Sequence, residues 1–150
     1  MVRRALIDDF LAQRTLAVVG VSRDPKQFSA MAYRLLRERG YSVYPINPNT
    51  DHIERDKCYP SLATLPERVD GVVVFLPPAM VMRVLPGIVE AGVQRVWLQQ
   101  GTESDEAIRF CEDRKISVVH GECILMFAEP VGFVHKAHRW VKKVTHTLPT

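Results

Sequence analysis

"TLAVVGVSRDPKQFSAMAYRLLRERGY", residues 15–41, decides the fold. It opens on "TLAVVGV" (15–21), a short valine-rich apolar run of the kind that forms a strand buried on both faces. After a turn that begins at Gly20, a helical stretch runs from Ser29 to Arg39, and Gly40 stands where a left-handed helix cap is wanted. Strand, turn and helix in this order make the first half of a βαβ unit.

The same pattern repeats downstream. "YSVYPIN" (41–47), "DGVVVFL" (70–76), "QRVWLQ" (94–99) and "ISVVH" (116–120) are short, rich in valine and isoleucine, and bounded by turn residues, so they read as strands. Between them, Ala79 to Ala91 closed by Gly92, and Glu103 to Lys115 behind a cap at Thr102, read as helices. Strand and helix alternate about four times, which predicts parallel strands joined by right-handed crossovers. The expected class is α/β: a doubly wound, Rossmann-like fold with a mostly parallel five-stranded sheet and helices on both faces. "VRRALIDDFLAQ" reads as a preceding helix and "EPVGFVHKAHRWVKKVTH" as a closing one. The longest irregular stretch, "NPNTDHIERDKCYPSLATLPERV", is expected to hold only a short helical turn at "SLATL".

Composition sets the outer bounds. A chain of 150 residues that is 47% apolar can bury one sizeable core, so residues 1–150 are expected to form one domain, its core at about 15–126. No run of eighteen apolar residues exists, and "MVRRALIDDFLAQR" carries acids and lacks a cleavage-site pattern. Neither a membrane span nor a signal peptide is read, and a cytoplasmic location is expected. Cys58, Cys111 and Cys123 are odd in number and form no CxxC pair, which argues against a disulfide framework and a zinc site. The net charge of +3 is mild, with basic residues gathered only in "HKAHRWVKK". Nucleic acid is not indicated.

In an open parallel sheet, ligands bind beyond the C-terminal strand ends, at the point where strand order reverses. Three unusual sequences fall at such ends: "GVSRDPKQFS" after the first strand, "NPN" after the second and "LPP" after the third. Gly20 lets backbone approach a ligand, Ser22 and Ser29 offer hydroxyls, and a helix starting near Ser29 presents free N–H groups to an anion. Arg23 and Lys26 add positive charge, so the turn suits phosphates. Each feature also has a plainer account: a tight turn at Gly20, solvated side chains at Arg23 and Lys26, an N-cap at Ser29, turn chemistry at Asn47 and Pro48, and a strand stop at Leu76, Pro77 and Pro78. Their convergence on one sheet edge favours a site. A nicotinamide site would need GxGxxG and an acidic residue after the second strand, and the sequence has Arg23 and Lys26 in the loop and "INPN" at the strand end.

With these strand ends in view, the chain resembles the small stand-alone coenzyme A-binding proteins, whose Rossmann-like domain is similar to the CoA-binding domain of the succinyl-CoA synthetase α subunit. The resemblance runs from about Thr15 to Met126 and is carried, in order, by "VVGVSRDPKQFS", "LLRERGYSVYPINPN", "CYPSLATLPERVDGVVVFLPP", "AGVQRVWLQQGTESDEA" and "ISVVHGEC". It implies that Gly20, Val21 and Ser22 contact the CoA phosphates, that Lys26 helps neutralise them, and that Asn47 and Pro48 line the adenosine side. Phe75, Leu76, Pro77 and Pro78 would form the wall past which the ligand lies. The chain departs from its relatives at Leu76, where they often carry arginine, and in "GECILMFA" near the end.

The implied activity is non-covalent binding of CoA or an acyl-CoA, as a carrier, sensor or regulatory module, with a protein partner unidentified and no catalytic residue assigned. The alternatives are a nicotinamide-dependent oxidoreductase and an interaction module with a vestigial pocket. His120 and Cys123 are the acid–base and thiol groups nearest a strand end, each with a structural account of its own. His135 and His138 lie at i, i+3 without the further ligands a metal needs.

Overall fold

The computed structural model describes residues 2–127. Helix α1 (Val2–Leu11) leads into strand β1 (Thr15–Val19), α2 (Phe28–Glu38) and β2 (Ser42–Ile46). A small hairpin, β3 (His52–Ile53) with β4 (Asp56–Lys57), and a 3₁₀ turn at Leu62–Thr64 precede β5 (Gly71–Val74). Then follow α3 (Pro78–Glu90), β6 (Arg95–Gln99), α4 (Asp105–Asp113), β7 (Ser117–Glu122) and a 3₁₀ turn at Ile124–Met126. The closing helix expected over residues 129–146 lies outside the described residues.

The central sheet has the order β2-β1-β5-β6-β7, with every neighbouring pair parallel. From β1 the chain first moves outward to β2, then returns across β1 to β5 and continues in the opposite direction. Strand order therefore reverses beside β1, the switch point of the doubly wound topology. Two apolar layers explain why the strands are valine-rich throughout. Leu16, Val18, Val73, Trp97 and Val119 face α1 and α2, while Ala17, Val19, Val72, Val74 and Leu98 face α3 and α4. All four residues of β5 are buried, and each such valine contributes roughly 1.5–3 kcal/mol.

The glycine stops at Gly40 and Gly92 are as expected: the amide of Tyr41 donates to the Leu36 carbonyl at 3.2 Å and that of Val93 to Ile88 at 3.2 Å, around glycines at φ +100° and +76°. Helix α4 ends the same way, with Ile116 N–H on the Cys111 carbonyl at 2.9 Å, although Lys115 occupies the left-handed position at φ +59°.

Three local expectations are corrected. Thr102 does not cap α4: its hydroxyl donates back to the Gln99 carbonyl at 2.8 Å, and Ser104 takes the cap, its Oγ accepting from the Ala107 amide at 3.1 Å. Ser29 is not the cap of α2 either, since the helix begins at Phe28 with Gln27 in the cap position. The stretch after β2 is more ordered than expected, because Arg34 and Arg37 of α2 hold the β3–β4 turn through Glu54, at 3.3 and 3.1 Å.

Candidate functional site

The site begins with a close crossing. At the end of β1, Gly20 takes φ +93°, and its amide donates to the Ile46 carbonyl at 3.0 Å. A Cβ here would stand 2.2 Å from the Phe75 carbonyl oxygen, so the turns after β1 and β5 meet where only glycine fits. Val21 is fully buried behind it.

Asn47 ties this turn to the end of β2. Its Nδ2 donates to the Val21 carbonyl at 2.8 Å, and its Oδ1 accepts from the Asn49 amide at 2.8 Å. Its own amide donates to the Tyr59 carbonyl at 2.9 Å, while the Tyr59 amide reaches Pro45 at 3.0 Å. The segment at Tyr59 thus lies alongside β2 as a short parallel bridge, and the residues after it rise as a wall.

Between that wall and α3 lies an open cleft of about 760 Å³, within the range of small-molecule sites. Its floor is Val19, Gly20 and Ile46, and Asn47, Pro48 and Asn49 stand at the β2 end. Pro60, Ser61, Leu62 and Ala63 form one side, Leu76, Met80, Arg83, Val84, Gly87 and Glu90 the other. The lining is mostly apolar with a few polar groups. Arg83 and Glu90 are exposed, and neither forms an ion pair with the described residues.

Of the residues expected to form the site, the structure brings Gly20, Asn47, Pro48 and Leu76 to this cleft. Val21 contributes only its carbonyl, behind the turn. Ser22, Arg23, Lys26 and Ser29 form a separate, self-bonded turn beside it. The Ser22 amide donates to Ser29 Oγ at 3.0 Å, the Asp24 amide to Ser22 Oγ at 3.1 Å, and the Lys26 amide to Asp24 Oδ1 at 3.0 Å. Arg23 and Lys26 project as exposed side chains. Phe75 packs its ring 5.9 Å from that of Phe28, and Pro77 and Pro78 start α3.

Sequence reasoning missed the wall at 60–63 and the α3 face of Arg83 and Gly87. The signal for Gly87 was present, since a Pro86-Gly87 pair sits inside a helix where both residues are unfavourable. The wall depends on a long-range bridge to β2 that has no local pattern.

His120 and Cys123 lie on or next to β7, three strands from β1, about 14 Å at ordinary strand spacing. They are not part of the cleft. Burial pushes the Cys111 thiol up to about 11 and raises that of Cys58, so neither is a ready nucleophile. Among the described residues no His, Cys, Asp and Glu cluster could hold a metal ion, and no helix is long and apolar enough to cross a membrane.

Known families match this arrangement. The profile of the CoA binding domain family matches residues 14–129, which include β1 through β7 and every element of the cleft. The chain belongs to the CoA-binding domain family. Among curated relatives, the ADP-forming acetate–CoA ligase II subunit alpha of Pyrococcus furiosus is 33% identical over 92 residues, covering 61% of this chain and 20% of that subunit. The chain thus spans about a fifth of the ligase subunit's length. The uncharacterized protein YneT of Bacillus subtilis is 29% identical over 111 residues and is covered over 82% of its length, against 74% of this chain. A solved structure of a conserved hypothetical protein from Pyrococcus furiosus superposes with a TM-score of 0.71 at 40% identity, covering 74% of this chain and 96% of that one. The CoA-binding domain therefore occurs both within ligase subunits and as small separate proteins, and this chain is similar to each.

Proposed function

We propose that this protein binds coenzyme A or an acyl-CoA non-covalently and acts as a carrier, sensor or regulatory module. The observation that carries the reading is the cleft at the switch point of a CoA-binding domain, floored by Gly20 and bordered by Asn47 and Pro48. The ligand's diphosphate would lie over the turn at Gly20, which lines the floor of the cleft at the end of β1. Its neutral arm would run along the apolar stretch between Leu62 and Val84. Asn47 cannot serve as the acidic ribose ligand of a nicotinamide site, since it is an amide whose Nδ2 and Oδ1 are both bonded to backbone.

Isothermal titration with CoA, acetyl-CoA, NAD⁺ and ATP tests the reading. Saturable binding of CoA or acetyl-CoA, tighter than that of NAD⁺ and ATP, is the expected result. Binding of NAD⁺ alone would replace it with an oxidoreductase reading, and no binding at millimolar ligand would leave the pocket vestigial.

A further inference from the structure

Helix α3 presents one continuous face to the cleft, with Met80, Arg83, Val84, Gly87 and Glu90 at helical spacing. Gly87 has no structural reason to be glycine. It lies inside the helix without a positive φ, and a Cβ built on it meets nothing within 4 Å. A glycine in such a place weakens a helix, so the open space beside it is kept against the helix's own preference. One turn earlier, Arg83 is the sole cation among the described residues lining the cleft. By contrast, the more conspicuous Arg23 and Lys26 are exposed on the neighbouring turn and do not line it.

We infer that α3 is the wall that selects the ligand: Arg83 binds its phosphomonoester, and the gap at Gly87 admits the adjoining part of the molecule. This rests on the CoA reading of the cleft. A CoA-type ligand carries two anionic centres, a diphosphate and a 3′-phosphate. The diphosphate is accommodated at Gly20, which leaves the more densely charged monoester for the guanidinium, a fork that matches phosphate oxygens bidentately.

Calorimetric titration of CoA and dephospho-CoA against the full chain and two variants tests the inference. The unaltered protein is expected to prefer CoA at least tenfold. Arg83→Gln should weaken CoA binding by that factor, leave dephospho-CoA within twofold, and so erase the preference. Gly87→Leu should weaken both ligands at least tenfold while raising the ligand-free melting temperature by about 2 °C, because leucine favours the helix. A stabilised protein that no longer binds separates a ligand-facing role from a structural one. If CoA binds and Arg83→Gln keeps the preference, or Gly87→Leu binds as the unaltered protein does, the inference falls while the CoA reading stands. If the unaltered protein binds neither ligand, both fall.

Discussion

Two concavities flank strand β2, and they differ in what their polar groups do. The smaller, about 320 Å³, is lined by Tyr33, Arg37, Tyr44, Asp56 and Lys57 among others. There the Tyr33 hydroxyl and the Arg37 guanidinium both donate to Asp56, and Arg37 and Arg34 share Glu54. The larger, at the strand ends, holds Arg83 and Glu90 without an ion pair among the described residues. Polar groups satisfied by one another fasten α2 to the β3–β4 hairpin. Polar groups left beside open space are available to a ligand. The richer cluster of charge is therefore the structural one, and the sparser cleft is the one we propose as the site.

The comparison can be broken most forcefully at Gly20. Gly20→Ala forces a side chain onto the Phe75 carbonyl in a left-handed conformation, and should cost about 3 kcal/mol in urea unfolding. CoA binding should be lost with it. Asn47→Ala comes next. Losing the bonds to Val21 and Asn49 should lower stability by about 2 kcal/mol and weaken CoA at the same time, since one side chain joins both turns at the cleft floor.

The paired region should respond differently. Asp56→Ala removes the acceptor of Tyr33 and Arg37, and on this half-exposed surface should cost about 1 kcal/mol while leaving CoA affinity within twofold. An equal loss of affinity would blur the distinction between the two concavities. The same region sets an alkaline limit. The Glu67 carboxylate, with a smaller contribution from burial, pushes the Tyr44 hydroxyl from 10.0 up to about 12, and burial together with Asp56 raises Tyr33 further. A phenol held protonated in the folded state stabilises fully below its unfolded pKa and loses that contribution as pH rises. Unfolding free energy should fall from about pH 10 through both phenols, Tyr44's share being complete near pH 12 and Tyr33's continuing above it, so Tyr44→Phe and Tyr33→Phe should each flatten the fall from pH 10 upward.

The smallest effect lies away from both regions. Lys115→Gly removes a non-glycine residue from the left-handed cap of α4 and should stabilise the fold by about 0.5–1 kcal/mol, with ligand binding unchanged.

How much was legible follows from where each signal is stored. The valine run of β5 and the stops at Gly40 and Gly92 are local, because burial on both faces and a left-handed cap each demand particular residues in sequence. The β3–β4 hairpin was not legible: its turn is Glu54-Arg55, without glycine or asparagine, and Arg34 and Arg37 hold it from α2. The site was half legible for the same reason. Gly20, Asn47, Pro48 and Leu76 stand at strand ends, where topology alone places them together. Arg83 looks like an ordinary position of an amphipathic helix, and Gly87 like an unexplained break in one, until the Tyr59 bridge sets a wall opposite them.

Amide chemical-shift mapping of the ¹⁵N-labelled protein during titration with CoA tests the central claim most directly. The account predicts saturable shifts at Gly20, Asn47, Arg83 and Gly87, with Tyr33, Asp56 and Lys57 unmoved. Shifts confined to the Tyr33–Asp56 side of β2, or none at saturating CoA, would contradict it.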